Sequence, residues 1–160
     1  MNSLAQETSK AVVFSQPVSE RLVEYLKALP RARWYNRKKI NSIPTKGTVE
    51  ANYWFLGNGQ MPKELSDYLF EIAPTINGIK PKEACVNMYE VGFGMPEHID
   101  IAMYRFNVVI ALCDNGDGLD LNGEFIPDVP GRAVIFPAKT PPHSVPPVKH
   151  LRFVLIYLYE

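Results

Sequence analysis

The 160-residue chain predicts a mostly β fold with two N-terminal helices, an α+β arrangement with the helices packed on an antiparallel sheet or barrel. Three observations carry this. Beyond residue 83, β-branched and aromatic runs recur near ten-residue spacing, separated by Gly, Pro, Asn and Asp clusters. Before it, two stretches have the apolar spacing of an amphipathic helix. Fourteen prolines disfavour an all-helical bundle.

The first helix is expected over Ser19–Leu29, where Leu22, Tyr25, Leu26 and Leu29 form one stripe that Pro30 ends. The second is expected over Pro62–Ala73. There Leu65, Tyr68, Leu69 and Ile72 repeat the spacing, Pro62 suits the first turn and Pro74 closes it. Strands are expected at 84–90, 105–113, 132–136 and 151–159, with 31–35 and 51–55 as further candidates. The length fits one domain, 1–160, with 1–18 a flexible polar tail, 19–83 the helical region and 84–160 the β core.

Composition narrows the function. Lys plus Arg and Asp plus Glu each number 17, so the formal net charge is zero, which excludes a globally basic nucleic-acid coat. A hydrophobic content of 46% fits a folded globule. The two cysteines, Cys85 and Cys113, lie in apolar runs without metal or redox spacing and read as buried free thiols. With no signal-peptide pattern at the start and no apolar run of membrane-spanning length, the expectation is a cytoplasmic protein that contacts no membrane.

The chemistry concentrates in Tyr89-Glu-Val-Gly92-Phe-Gly94-Met-Pro-Glu-His98-Ile-Asp100. Residues two apart on a strand share a face, so His98 and Asp100 can enter one cavity and offer adjacent coordination positions. A third ligand from a distant strand would complete a facial triad suited to non-haem Fe(II). The chain has two further histidines, His143 and His150. Arg152 shares its strand face with Val154, Ile156 and Leu158, and an arginine on an apolar face needs a partner. A dicarboxylate ligand would be one, because the guanidinium fork matches a carboxylate bidentately. Asn87 and Tyr89 share a face and can line the same cavity.

These residues resemble the Fe(II)- and 2-oxoglutarate-dependent dioxygenases of the double-stranded β-helix (jelly-roll) superfamily, in particular the AlkB-type and prolyl-hydroxylase-like branches. Tyr89 and Gly92 precede His98-x-Asp100 as in both branches, and His143 stands nine residues before a basic residue, Arg152. The block from Pro130 to Val148 is similar to the prolyl-hydroxylase-like pattern of Gly, an apolar strand ending in Phe, then His-x-Val-x-Pro-Val. The resemblance spans 84–157. It prefers His143 as third ligand, because no basic residue stands nine or ten positions after His150.

The resemblance implies Fe(II) on His98, Asp100 and His143, with 2-oxoglutarate and O₂ as cosubstrates and succinate and CO₂ as products of C–H hydroxylation. It places Arg152 on the far carboxylate of 2-oxoglutarate, with Tyr89 and Asn87 as further contacts. It makes 19–83 the substrate-covering side and 84–160 the catalytic core.

A protein or peptide substrate is favoured by the His-x-Val-x-Pro-Val block. The alternative, oxidation of a nucleobase or nucleic acid, draws on Asn87-x-Tyr89. It is weakened because the AlkB-type Arg-x-Asn-x-Thr/Ser-x-Arg pattern keeps only Arg152, with Val154, Ile156 and Leu158 following. A non-catalytic jelly-roll binding module is the third reading. A basic-aromatic segment with Arg31, Arg33, Arg37, Lys38 and Lys39 offers polyanion contact, or else reads as a solvated loop. The run Asp114–Asp120 lacks the acids of a calcium loop and reads as a turn.

Overall fold

The structure, a computed structural model, describes residues 11–42, 47–100, 104–137 and 141–160. The chain opens with helix α1 (Gln16–Ala28), a 3₁₀ turn (Arg31–Arg33) and strands β1 (Tyr35–Ser42) and β2 (Gly47–Leu56). Helix α2 (Lys63–Ile72) leads to β3 (Glu83–Tyr89), β4 (Met95–His98) and β5 (Phe106–Ala111). Strands β6 (Gly118–Leu121), β7 (Glu124–Pro127), β8 (Ala133–Pro137), β9 (His143–Val145) and β10 (Arg152–Tyr159) complete it.

The strands form two antiparallel sheets, a major one in the order β1-β2-β3-β10-β5-β8 and a minor one in the order β4-β9-β6-β7. An Asn52–Gly94 bridge links the edge of β4 to β2. This is the jelly-roll class expected from the sequence.

Alternation along β10 shows how the layers are made. Phe153, Leu155, Tyr157 and Tyr159 face the core shared with Leu22 and Leu26 of α1 and Leu65 and Leu69 of α2. Val154 and Ile156 face the second core, between the sheets, with Leu119, Phe136 and Val145. Covered on both faces, the strand is apolar at almost every position, as a central strand must be. The Tyr157 hydroxyl donates to the Leu69 carbonyl, and that of Tyr159 to the Pro74 carbonyl at 2.6 Å, so β10 holds the end of α2.

Several elements differ from the sequence expectation. Residues 31–33 form a 3₁₀ turn and the strand starts at Tyr35. β2 contains the candidate strand 51–55, and with β1 it extends the major sheet next to β3, within the 19–83 region. Of the expected flexible tail, 1–10 lie outside the described residues. Beyond them the Val13 N–H donates to the Gly131 carbonyl at 2.8 Å, and α1 begins at Gln16. Cys85 and Cys113 are unpaired, and burial pushes the Cys85 thiol up to about 12. Among the described residues, no helix is long and apolar enough to cross a membrane.

Candidate metal centre

His98 ends β4 and His143 begins β9, and the two are register partners across the minor sheet. Their rings lie 4.2 Å apart between centroids. Asp100, two residues on from His98, sets one carboxylate oxygen 3.2 Å from His98 Nε2 and the other 3.4 Å from His143 Nε2. Metal–ligand bonds of about 2.1 Å at right angles separate neighbouring ligand atoms by about 3.0 Å. The ligand atoms of the three side chains all lie within 4.8 Å of one another, close enough to hold one small divalent cation between them.

The ring orientation is set by a repeated local device. His98 Nδ1 lies 2.7 Å from the Pro96 carbonyl, and His143 Nδ1 lies 2.8 Å from the Pro141 carbonyl. A carbonyl only accepts, so each Nδ1 carries the proton, leaving the Nε2 lone pair for a metal. Burial alone would push the Asp100 carboxyl up. When the imidazoles carry a second proton on Nε2, hydrogen bonds and charge from His143 and then His98 outweigh it and hold the group well below the usual carboxylate range. Phe136 backs the His143 ring at 4.8 Å.

These ligands open into a cavity of about 450 Å³ between the two sheets. Asn87, Tyr89 and Arg152 line it, together with Arg37, Lys39 and Tyr53 from β1 and β2. Burial pushes the Tyr89 phenol up to about 12 against the pull of Arg152, so it is neutral and can donate a hydrogen bond. Asn87 is buried, and its Oδ1 has no hydrogen-bond partner among the described residues. Such a group costs roughly 1–3 kcal/mol when unsatisfied, which a ligand or water in the cavity would offset.

The sequence expected a ligand to be the partner of Arg152, and the structure supplies a protein carboxylate as well. Arg152 is buried, with Nε 2.7 Å and Nη2 3.0 Å from the two oxygens of Asp128. The guanidinium carbon lies 5.3 Å from the centre of the Tyr89 ring. Asp128 stands 24 residues away in sequence, with no local pattern tying it to Arg152.

His150 does not join the cluster. Its imidazole is exposed and lies 3.7 Å from Asp117. Asp117 itself accepts the backbone N–H groups of Lys149 and His150, so the Asp114–Asp120 run fastens a turn. The basic segment does not form one strip. Arg31 pairs with Glu90, and Arg33 donates to the Gln60 carbonyl at 2.8 Å. Arg37 and Lys39 turn to the cavity, and Lys38 is exposed between them.

Neither a family model nor any curated protein sequence matches the chain. Solved structures do. A prolyl-4-hydroxylase from Pseudomonas putida is similar over 94% of this chain and 90% of its own, with TM-score 0.65 and 16% identity. A 2OG-Fe(II) oxygenase family oxidoreductase from Burkholderia pseudomallei matches over 94% and 82%, with TM-score 0.56 and 16% identity. A Trichoplax adhaerens prolyl hydroxylase, in complex with a hypoxia inducible factor peptide fragment, matches over 93% and 78%, with TM-score 0.54 and 16% identity.

The chain has the fold of these oxygenases. At this identity the likeness speaks for architecture, and the chemistry rests on the residues of the cavity.

Proposed function

We propose that the protein is an Fe(II)- and 2-oxoglutarate-dependent dioxygenase that hydroxylates a C–H bond, with a protein or peptide segment as the favoured substrate. The carrying observation is the set of His98, Asp100 and His143, with the two histidines on paired strands, lining one cavity. Iron and 2-oxoglutarate would supply the activation of O₂, with release of succinate and CO₂.

The chain's own residues position and insulate. Pro96 and Pro141 carbonyls aim both Nε2 lone pairs at one point. Arg152, held against Asp128, would take the far carboxylate of the cosubstrate on its remaining donors, with the neutral Tyr89 phenol and the Asn87 amide beside it. Val154, Ile156, Leu119 and Val145 give the cavity apolar walls that exclude water from the reacting centre. The peptide preference draws on the His-x-Val-x-Pro-Val block and on the peptide-bound Trichoplax neighbour. A cytoplasmic setting agrees with two unpaired thiols.

The test is succinate formation from 2-oxoglutarate with Fe(II) and O₂. Wild type is expected to turn over, and His98→Ala and Asp100→Ala to lose at least about 100-fold, the loss typical of disturbed metal ligation. Undiminished turnover in both variants would remove the assignment.

A further inference from the structure

Among the described residues, four side chains of fixed charge line the cavity: Arg37, Lys39, Asp100 and Arg152. One is already matched inside the protein, Arg152 by Asp128, and Asp100 lies against the imidazoles of His98 and His143. Arg37 and Lys39 make no ion pair with any described acidic residue.

Arg37 is not a loose surface side chain. It is half-buried, its Nη1 lies 3.4 Å from the Tyr53 hydroxyl, and its guanidinium stacks 4.2 Å from the centre of the Phe55 ring. A guanidinium held in this way without a counter-charge is poised for an anion from outside.

That anion is distinct from the cosubstrate carboxylate at Arg152. Arg37 is the register partner of Tyr53, the Tyr53 and Tyr89 rings stack at 5.7 Å, and Tyr89 is the register partner of Arg152. The four residues make one row across β1, β2, β3 and β10, with a guanidinium at each end. Three strand spacings separate the ends by about 14 Å of backbone, so one carboxylate does not serve both. Charge agrees. With a divalent metal, Asp100 and dianionic 2-oxoglutarate in place and Arg152 cancelled by Asp128, Arg37 and Lys39 leave the cavity one positive charge in excess.

We infer that the molecule to be oxidised carries a carboxylate, and that Arg37, with Lys39 at the rim, binds it. This rests on the oxygenase reading and narrows its substrate to an acidic one. A peptide side chain or terminus and a free carboxylic acid both present this carboxylate chemistry to the fork.

The test compares acids with their amides. Peptide pools containing Asp and Glu are set against the same pools with Asn and Gln, and free amino and dicarboxylic acids against their amides. Binding is measured by calorimetry, without O₂, on protein loaded with Mn(II) and 2-oxoglutarate and again on metal-free protein; stimulation of 2-oxoglutarate consumption is read in parallel. The acidic member of one comparison is expected to bind about tenfold more tightly, as for a charge-assisted bond, and the responding arm identifies the source. Arg37→Gln should erase that preference, and Lys39→Gln, at an exposed position, should reduce it, while 2-oxoglutarate affinity stays within about twofold.

Equal binding of acids and amides in both arms would overturn the inference. So would an Arg37→Gln variant that weakens 2-oxoglutarate as much as Arg152→Gln does, since Arg37 would then serve the cosubstrate. Failure of wild type to bind Mn(II) would instead defeat the oxygenase reading, and the metal-free comparison would still decide this one.

Discussion

The two ends of the cavity are built by opposite logic. At the candidate metal end, three side chains stand together, and the outer hydrogen bonds of the two histidines are already made. At the guanidinium row, Arg152 arrives with its counter-charge, whereas Arg37 meets an aromatic ring and a hydroxyl and no ion-pair partner among the described residues. A buried charge that the protein itself satisfies is ready to orient a ligand without demanding one. A charge left unmatched is where a ligand must contribute.

The largest effect outside the metal ligands is expected at Asp128. Its side chain and that of Arg152 are 4% and 2% exposed, so Asp128→Ala strands a buried guanidinium. A loss of about 3–5 kcal/mol in urea unfolding is expected, and Asp128→Leu combined with Arg152→Met should recover most of it. If Asp128→Ala costs under about 1 kcal/mol, Arg152 does not depend on its internal partner, and the contrast between the two arginines collapses.

A smaller effect tests the metal end through its backbone. A Cβ on Gly94 would lie 2.6 Å from the Val145 carbonyl, at the Met95–Val145 end of the β4–β9 ladder whose other end pairs His98 with His143. Gly94→Ala should cost about 1–3 kcal/mol of overpacking and weaken Mn(II) binding, with 2-oxoglutarate contacts at the row intact. Unchanged metal affinity would show that the ligand spacing is not set by this close approach. The smallest effect is expected far from both ends. Tyr157→Phe removes one hydrogen bond to the Leu69 carbonyl and should cost about 1 kcal/mol of stability without altering metal or 2-oxoglutarate affinity.

What could be read from sequence followed periodicity. β3, β5, β8 and β10 are long apolar runs and were expected within a residue or two of where they lie. β4 and β9 are short, with 4 and 3 residues, and carry Pro, Glu and Ser in place of a β-branched run. The β6–β7 hairpin did have a usable signal. Asn122 and Gly123 take positive φ of 50° and 84°, the turn that an Asn-Gly pair between strands announces.

The same division holds at the site. His98 ends β4 and Asp100 follows two residues on, so their closeness is local information. Asp128 and Arg152 meet only through the fold. Arg37 and Lys39 were visible as charges, but reading the basic segment as one strip missed that β1, irregular between Arg37 and Lys39, brings both to the cavity.

Calorimetric titration of the protein with Fe(II) and then 2-oxoglutarate, without O₂, decides whether His98, Asp100 and His143 hold one metal to which 2-oxoglutarate then binds. One iron per chain is expected, with 2-oxoglutarate binding that requires the metal and both lost in Asp100→Ala. Iron binding that survives Asp100→Ala, or 2-oxoglutarate binding indifferent to iron, would rule out this metal centre.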